Sequence, residues 1–110
     1  MPNVSWVKST DGNWLPLLEV NLGKVKTTGV YLIWQGGGSY VRVGQGDIAA
    51  RLTAHRNDPD ITKYKNLYVT WATVPESELN GVERYLYEQC RPAVGERAPT
   101  DPAIAVTLPA

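Results

Sequence analysis

Cys90 is the only cysteine among 110 residues. No disulfide can form within the chain, which points to a reducing compartment. No run of about eighteen apolar residues occurs, and no apolar stretch follows a basic start, so neither a membrane span nor a secretory leader is expected. Net charge is absent too. Eleven lysines and arginines balance eleven aspartates and glutamates, so whole-molecule charge argues neither for nucleic acid nor against it. Also missing are an internal repeat, a linker between two domains, a zinc-ligand set, a helix-turn-helix pattern and a basic tail. These absences leave one soluble, cytoplasmic domain over 1–110, long enough at 43% hydrophobic to build a core.

What is present is unevenly spread. Lys24 to Lys65 carries seven basic side chains against Asp47, Asp58 and Asp60, whereas the chain after Asn66 has three basic and six acidic ones. An anion-binding surface is therefore expected on the first half. Segment 1–27 is broken by Asp11-Gly12-Asn13 and Pro16 and reads as cover for the core, with Trp6 and Trp14 packed on it; Leu17 to Leu22 is an added edge strand or a short helix. Segment 96–110 is proline-rich, and Ile104 to Leu108 is either an edge strand or a loose tail.

Residues 28–95 carry the organisation. Val30 to Gln35 and Tyr40 to Gly44 read as strands joined by the turn Gly36-Gly37-Gly38-Ser39. Alternation puts Gly29, Tyr31 and Ile33 on one face and Val30, Leu32 and Trp34 on the other, which implies a sheet covered on both sides. Tyr40, Arg42 and Gly44 share a face of the second strand. A helix capped by Asp47 follows to about Arg56, with Ile48 and Leu52 as its apolar stripe and Arg51 and His55 one turn apart at its edge. Asn57 to Lys65 is a polar loop, Asn66 to Thr73 a third strand, and Thr73-Val74-Pro75-Glu76 a capping box for a helix to about Cys90. Glu83 falls in the middle of that helix's apolar stripe of Leu79, Val82, Leu86 and Cys90. A carboxylate there costs several kcal/mol unless it is paired, protonated or bound to a metal.

Tyr31, Arg42, Arg51 and His55 converge beside one end of the hairpin, with Glu83 facing them. Two guanidinium groups suit a phosphate. One carboxylate suits a hard cation such as Mg²⁺, and a tyrosine or histidine can take a proton from an attacking water. The alternative for Glu83 is an ion pair with Arg51 or another cation. Gly44-Gln45-Gly46-Asp47-Ile48-Ala49 also fits a loose G-x-G-x-x-A pattern, but the tight hairpin before it speaks against a dinucleotide fold.

Several motifs in one order resemble the GIY-YIG endonucleases. Gly29-Val30-Tyr31 matches the first signature, and Arg42-Val43-Gly44 stands in the place of the second. Arg51 and His55 match the arginine of the next helix and the position one turn beyond, Glu83 the metal-binding glutamate, and Arg91-Pro92 the basic-proline ending. The resemblance covers roughly 28–95. It implies an α/β (α+β) fold with a three-stranded antiparallel sheet flanked by helices in the order β-β-α-β-α, cutting DNA with one divalent metal, Mg²⁺ or Mn²⁺. It further implies that Tyr31 activates water, Arg51 stabilises the transition state, His55 assists proton transfer or binds phosphate, and Glu83 holds the metal. Arg42, Gly44 and Tyr40 would bind substrate; Tyr40 lies about 6.6 Å along the strand from Arg42. Arg42 stands where the family has tyrosine, and Gly95 near where it often has asparagine. Arg42 either binds phosphate itself or marks a module of the same fold that binds DNA or protein without cutting. Substrate choice would then fall to a homodimer, to a partner protein or to DNA shape.

Overall fold

The computed structural model describes residues 4–9, 11–23, 25–95 and 98–109. Lys24, Glu96 and Arg97, counted above in the charge distribution, lie outside the described residues. The architecture is mixed α/β, with an antiparallel sheet of four strands in the order β1-β4-β2-β3. These are β1 (Leu15–Pro16), β2 (Thr28–Gln35), β3 (Tyr40–Asp47) and β4 (Leu67–Thr73). Helix α1 spans Ile48–Arg56, α2 Pro59–Thr62 and α3 Leu79–Cys90. Among the described residues no helix is long and apolar enough to cross a membrane.

Strand alternation divides the core between two faces. Tyr31, Ile33, Val69 and Trp71 pack against Ile48 and Leu52 of α1 and Ile61 of α2. Val30, Leu32, Val43 and Ala72 pack against Leu79, Val82, Leu86 and Cys90 of α3. The sheet is thus covered on both sides, as the two bulky faces of β2 require. Helix α1 begins where expected, with the Asp47 carboxylate accepting the Ala50 N–H at 3.1 Å.

Five expectations need correction. The sheet gains a fourth strand, not at Leu17 to Leu22 but at Leu15–Pro16. Beyond it the chain turns, and Arg56 Nη2 donates to the carbonyls of Leu17 (2.8 Å) and Val20 (2.7 Å), satisfying groups that a strand or helix would have paired. The loop after α1 contains α2, started by Asp58 accepting the Asp60 N–H at 2.9 Å with Pro59 in the first turn. No capping box forms at Thr73, because β4 pairs through Thr73 with Gly29. The helical path starts instead as a 3-10 turn at Glu76–Glu78.

The fourth correction is a bulge. Ile33 faces Arg42 and Trp34 faces Tyr40, so Val41 is an extra residue on β3. Tyr40 and Arg42 therefore point to opposite faces. Finally, Ile104 to Leu108 is neither strand nor loose. It lies on α3 at Gly81, where any Cβ would collide with Ile104, and the Ile104 N–H donates to the Gly81 carbonyl at 2.9 Å. Val106 is buried as a result.

Candidate active site

The site is built at the open edge of β3, where α1 and α3 approach from opposite faces. Tyr31 and Gly44 are cross-strand partners. A Cβ at Gly44 would run into the Tyr31 ring and hydroxyl, so the glycine is the space through which the ring crosses β3. Tyr31, 1% exposed, thereby brings its hydroxyl to within 2.5 Å of His55 Nε2 on α1. In the Nδ1–H tautomer of His55 the hydroxyl donates to Nε2.

Both partners are held neutral. Burial, then the Arg42 cation, pushes His55 down to about 4. Asp58 opposes this and Arg51 adds to it. Burial, with a smaller push from Glu83, raises Tyr31 above its ordinary value, against a hydrogen bond and the charge of Arg42 and the charge of Arg51. At neutral pH the pair is a phenol hydrogen-bonded to an imidazole.

In front of this pair lies a pocket of about 190 Å³ lined by Tyr31, Arg42, Gly44, Gln45, Arg51 and Glu83. Arg42 lies beside Gly95, and its Nε is buried without a hydrogen-bond partner among the described residues. Arg56 Nε shares that condition, so the orphaned donor alone marks nothing. Arg42 also lines the pocket together with a second guanidinium, Arg51, a pair of cations that suits an anion. Glu83 is half-buried, at the flank of the apolar stripe of α3 rather than in its middle. Gln45 Nε2 donates to Glu83 Oε1 at 2.8 Å and to Asn80 Oδ1 at 2.6 Å.

Tyr31, Arg42, Gly44, Arg51 and Glu83 thus share one pocket, and His55 touches it through Tyr31. Tyr40 does not belong there. The bulge turns it to the opposite face, against Trp34, and its hydroxyl interacts with Cys90. Sequence reasoning missed Gln45. Its signal was a polar residue between two glycines on a strand, within reach of the helix carrying Glu83.

Among the described residues no group of three His, Cys, Asp or Glu could hold a metal ion. A single carboxylate is the donor set that suits Mg²⁺ or Mn²⁺, ions that keep most of their waters and add substrate phosphate oxygens. Comparison with protein-family models, curated proteins and solved structures finds no match for the chain.

Proposed function

We propose that this chain is a divalent-metal-dependent DNA endonuclease of the GIY-YIG kind, hydrolysing phosphodiester bonds at the β3 edge. The observation that carries the reading is the Tyr31–His55 hydrogen bond set behind Arg42, Arg51 and Glu83 in one polar pocket. Arg42 and Arg51 bind the scissile phosphate and stabilise the charge that develops on its oxygens. Tyr31 takes a proton from the attacking water as its own hydroxyl proton passes to His55 Nε2, and the hydroxide oxygen bonds to phosphorus as the P–O bond to the leaving strand breaks. Burial is the main cause of the lowered His55, and the charges of Arg42 and Arg51, which add to it, would be offset by a bound phosphate. Substrate binding would thus relieve the part of the His55 depression that the two cations cause. Glu83, oriented by Gln45, would hold the metal, which would supply Lewis acidity.

The second reading is a module of the same fold that binds DNA without cutting. Arg42 favours it, since it puts a cation beside Tyr31 where the resemblance has a hydroxyl. The reading includes a cytoplasmic location, in line with a free, buried Cys90 whose thiol burial pushes up to about 11. It also leaves substrate choice to a second copy or a partner protein.

The deciding experiment incubates the protein with supercoiled plasmid, branched DNA and single-stranded DNA in Mg²⁺ or Mn²⁺, beside Glu83→Ala and Tyr31→Phe. Metal-dependent nicking lost in both variants is the expected result. A gel shift without cleavage on any substrate would replace the nuclease with the binding module.

A further inference from the structure

Five glycines among the described residues have positive φ. Gly12, Gly37 and Gly38 would present an added Cβ to open space, as glycines of exposed turns do. Gly46 and Gly95 would not. A Cβ at Gly95 would lie 3.0 Å from Arg42 Nη1 and 3.5 Å from its Cδ and Cζ, and one at Gly46 would lie 3.0 Å from Arg51 Nε and 3.6 Å from its Cγ. The two glycines whose bare face is occupied therefore each carry a guanidinium side chain, and these are the two cations that line the pocket.

Each seat is anchored to β3. Gly46, at φ +125°, is on the strand itself and pairs with Gly29 of β2. Gly95, at φ +149°, reaches the strand from the far end of α3. The Val41 bulge turns two successive carbonyls, those of Tyr40 and Val41, to the open edge, where the Ala93 and Val94 N–H groups donate to them at 3.2 Å and 2.8 Å. The backbone on which Arg42 rests is thus pinned just before Gly95. Arg51 starts from an exposed position of α1, where a long side chain ordinarily samples many rotamers, and the bare backbone at Gly46 lets its stem lie flat.

We propose that Gly46 and Gly95 are positioning residues, paired seats that hold Arg51 and Arg42 at a fixed spacing across the pocket for one phosphate group. A side chain at either seat displaces the guanidinium resting on it. The proposal deepens the nuclease reading and rests on it for the identity of the anion, whereas the placement of the two cations stands apart from it. It also accounts for Gly44-Gln45-Gly46, the spacing that imitates a dinucleotide motif: one glycine clears the Tyr31 ring and the other seats Arg51.

His55, the only histidine in the chain, reports on both cations in one resonance. Facing it are Tyr31 from β2, Arg42 from β3, Arg51 on its own helix and Asp58 ahead of α2. Burial lowers it most; Arg42 lowers it further, Asp58 raises it, and Arg51 lowers it by less than Arg42 does.

The test follows the His55 imidazole by NMR as pH is varied in the full chain. Gly95→Ala and Gly46→Ala are each expected to raise its midpoint from about 4 toward the ordinary 6.5, Gly95→Ala the further of the two. Gly37→Ala, which imposes a similar backbone strain in open space, is expected to leave the midpoint in place. A loosened pocket would also raise it by admitting water, so double variants decide. Gly95→Ala combined with Arg42→Met, and Gly46→Ala combined with Arg51→Met, are expected to move it no further than the methionine substitution alone. The doubles also cover a single variant that fails to fold, since removing the guanidinium removes the collision. Plasmid nicking is expected to fall about tenfold or more at each seat, the worth of one hydrogen bond to a charged group. Additive shifts in the doubles, doubles that stay unfolded, a seat variant that folds with its midpoint unmoved, or an equal shift in Gly37→Ala would each overturn the proposal. Absence of nicking by the unaltered chain, with His55 behaving as expected, would retire the nuclease and keep the two seats.

Discussion

Tyr31 and Trp34 lie on the same strand, three positions apart, and end in opposite environments. Tyr31 faces α1 across from a glycine, and the space at Gly44 lets its hydroxyl reach a buried polar partner. Trp34 faces the other side across from Tyr40, and the aromatic partner fills the space instead. The difference lies less in the two rings than in what stands opposite each. An empty cross-strand position makes a polar pocket, and a filled one makes an aromatic surface.

The strongest way to break the contrast is to remove the Tyr31 hydroxyl. Tyr31→Phe keeps the ring over Gly44 and is expected to lower DNA nicking about 10²- to 10⁴-fold, the usual worth of a positioned proton acceptor, as measured by plasmid relaxation. Filling the empty position comes next. Gly44→Ala drives a Cβ into the Tyr31 ring and is expected to destabilise the fold by roughly 1–3 kcal/mol in urea unfolding, with loss of the Tyr31–His55 bond. Asp47→Ala, which removes the cap of the helix that carries His55, is expected to cost about 1 kcal/mol in the same assay.

A pH titration sharpens the comparison from the polar side. His55 sits at about 4 in the folded chain against an ordinary 6.5, so the unfolded chain binds more protons between those values. Stability contributed by the neutral imidazole is present above 6.5 and lost as pH falls toward 4. His55→Gln is expected to flatten that slope in thermal melts taken across the window. The smallest effect belongs to neither site. Glu88→Gln removes the exposed Arg84–Glu88 pair (3.6 Å) and is expected to change stability by no more than about 0.5 kcal/mol.

The local signals read correctly where one segment decided its own structure. The glycine turn, the Asp47 cap, the two-faced β2 and the end of α3 at Cys90 all follow from nearby residues. Strand alternation and helical spacing put Tyr31 and Gly44, and Arg51 and His55, on shared faces, while the pocket that gathers them with Glu83 forms only as α1 and α3 pack on the sheet. The position of Tyr40 was not legible. The bulge at Val41 depends on a distant segment, with the Ala93 and Val94 N–H groups donating to the carbonyls of Tyr40 (3.2 Å) and Val41 (2.8 Å). The irregular path after β1 was hidden for the same reason, because its carbonyls are satisfied by Arg56 from another element. Gln45 was missed because its partners Asn80 and Glu83 become neighbours only once α3 packs on the sheet.

The Trp6–Thr107 hydrogen bond joins residues 101 positions apart. A ribosome releases Trp6 long before Thr107, so this bond must wait for the whole stretch between them to be made. Tyr31 and His55 are only 24 positions apart and can meet long before that. During translation the Tyr31–His55 pair can therefore form early, whereas the pocket in front of it waits for Glu83 of α3.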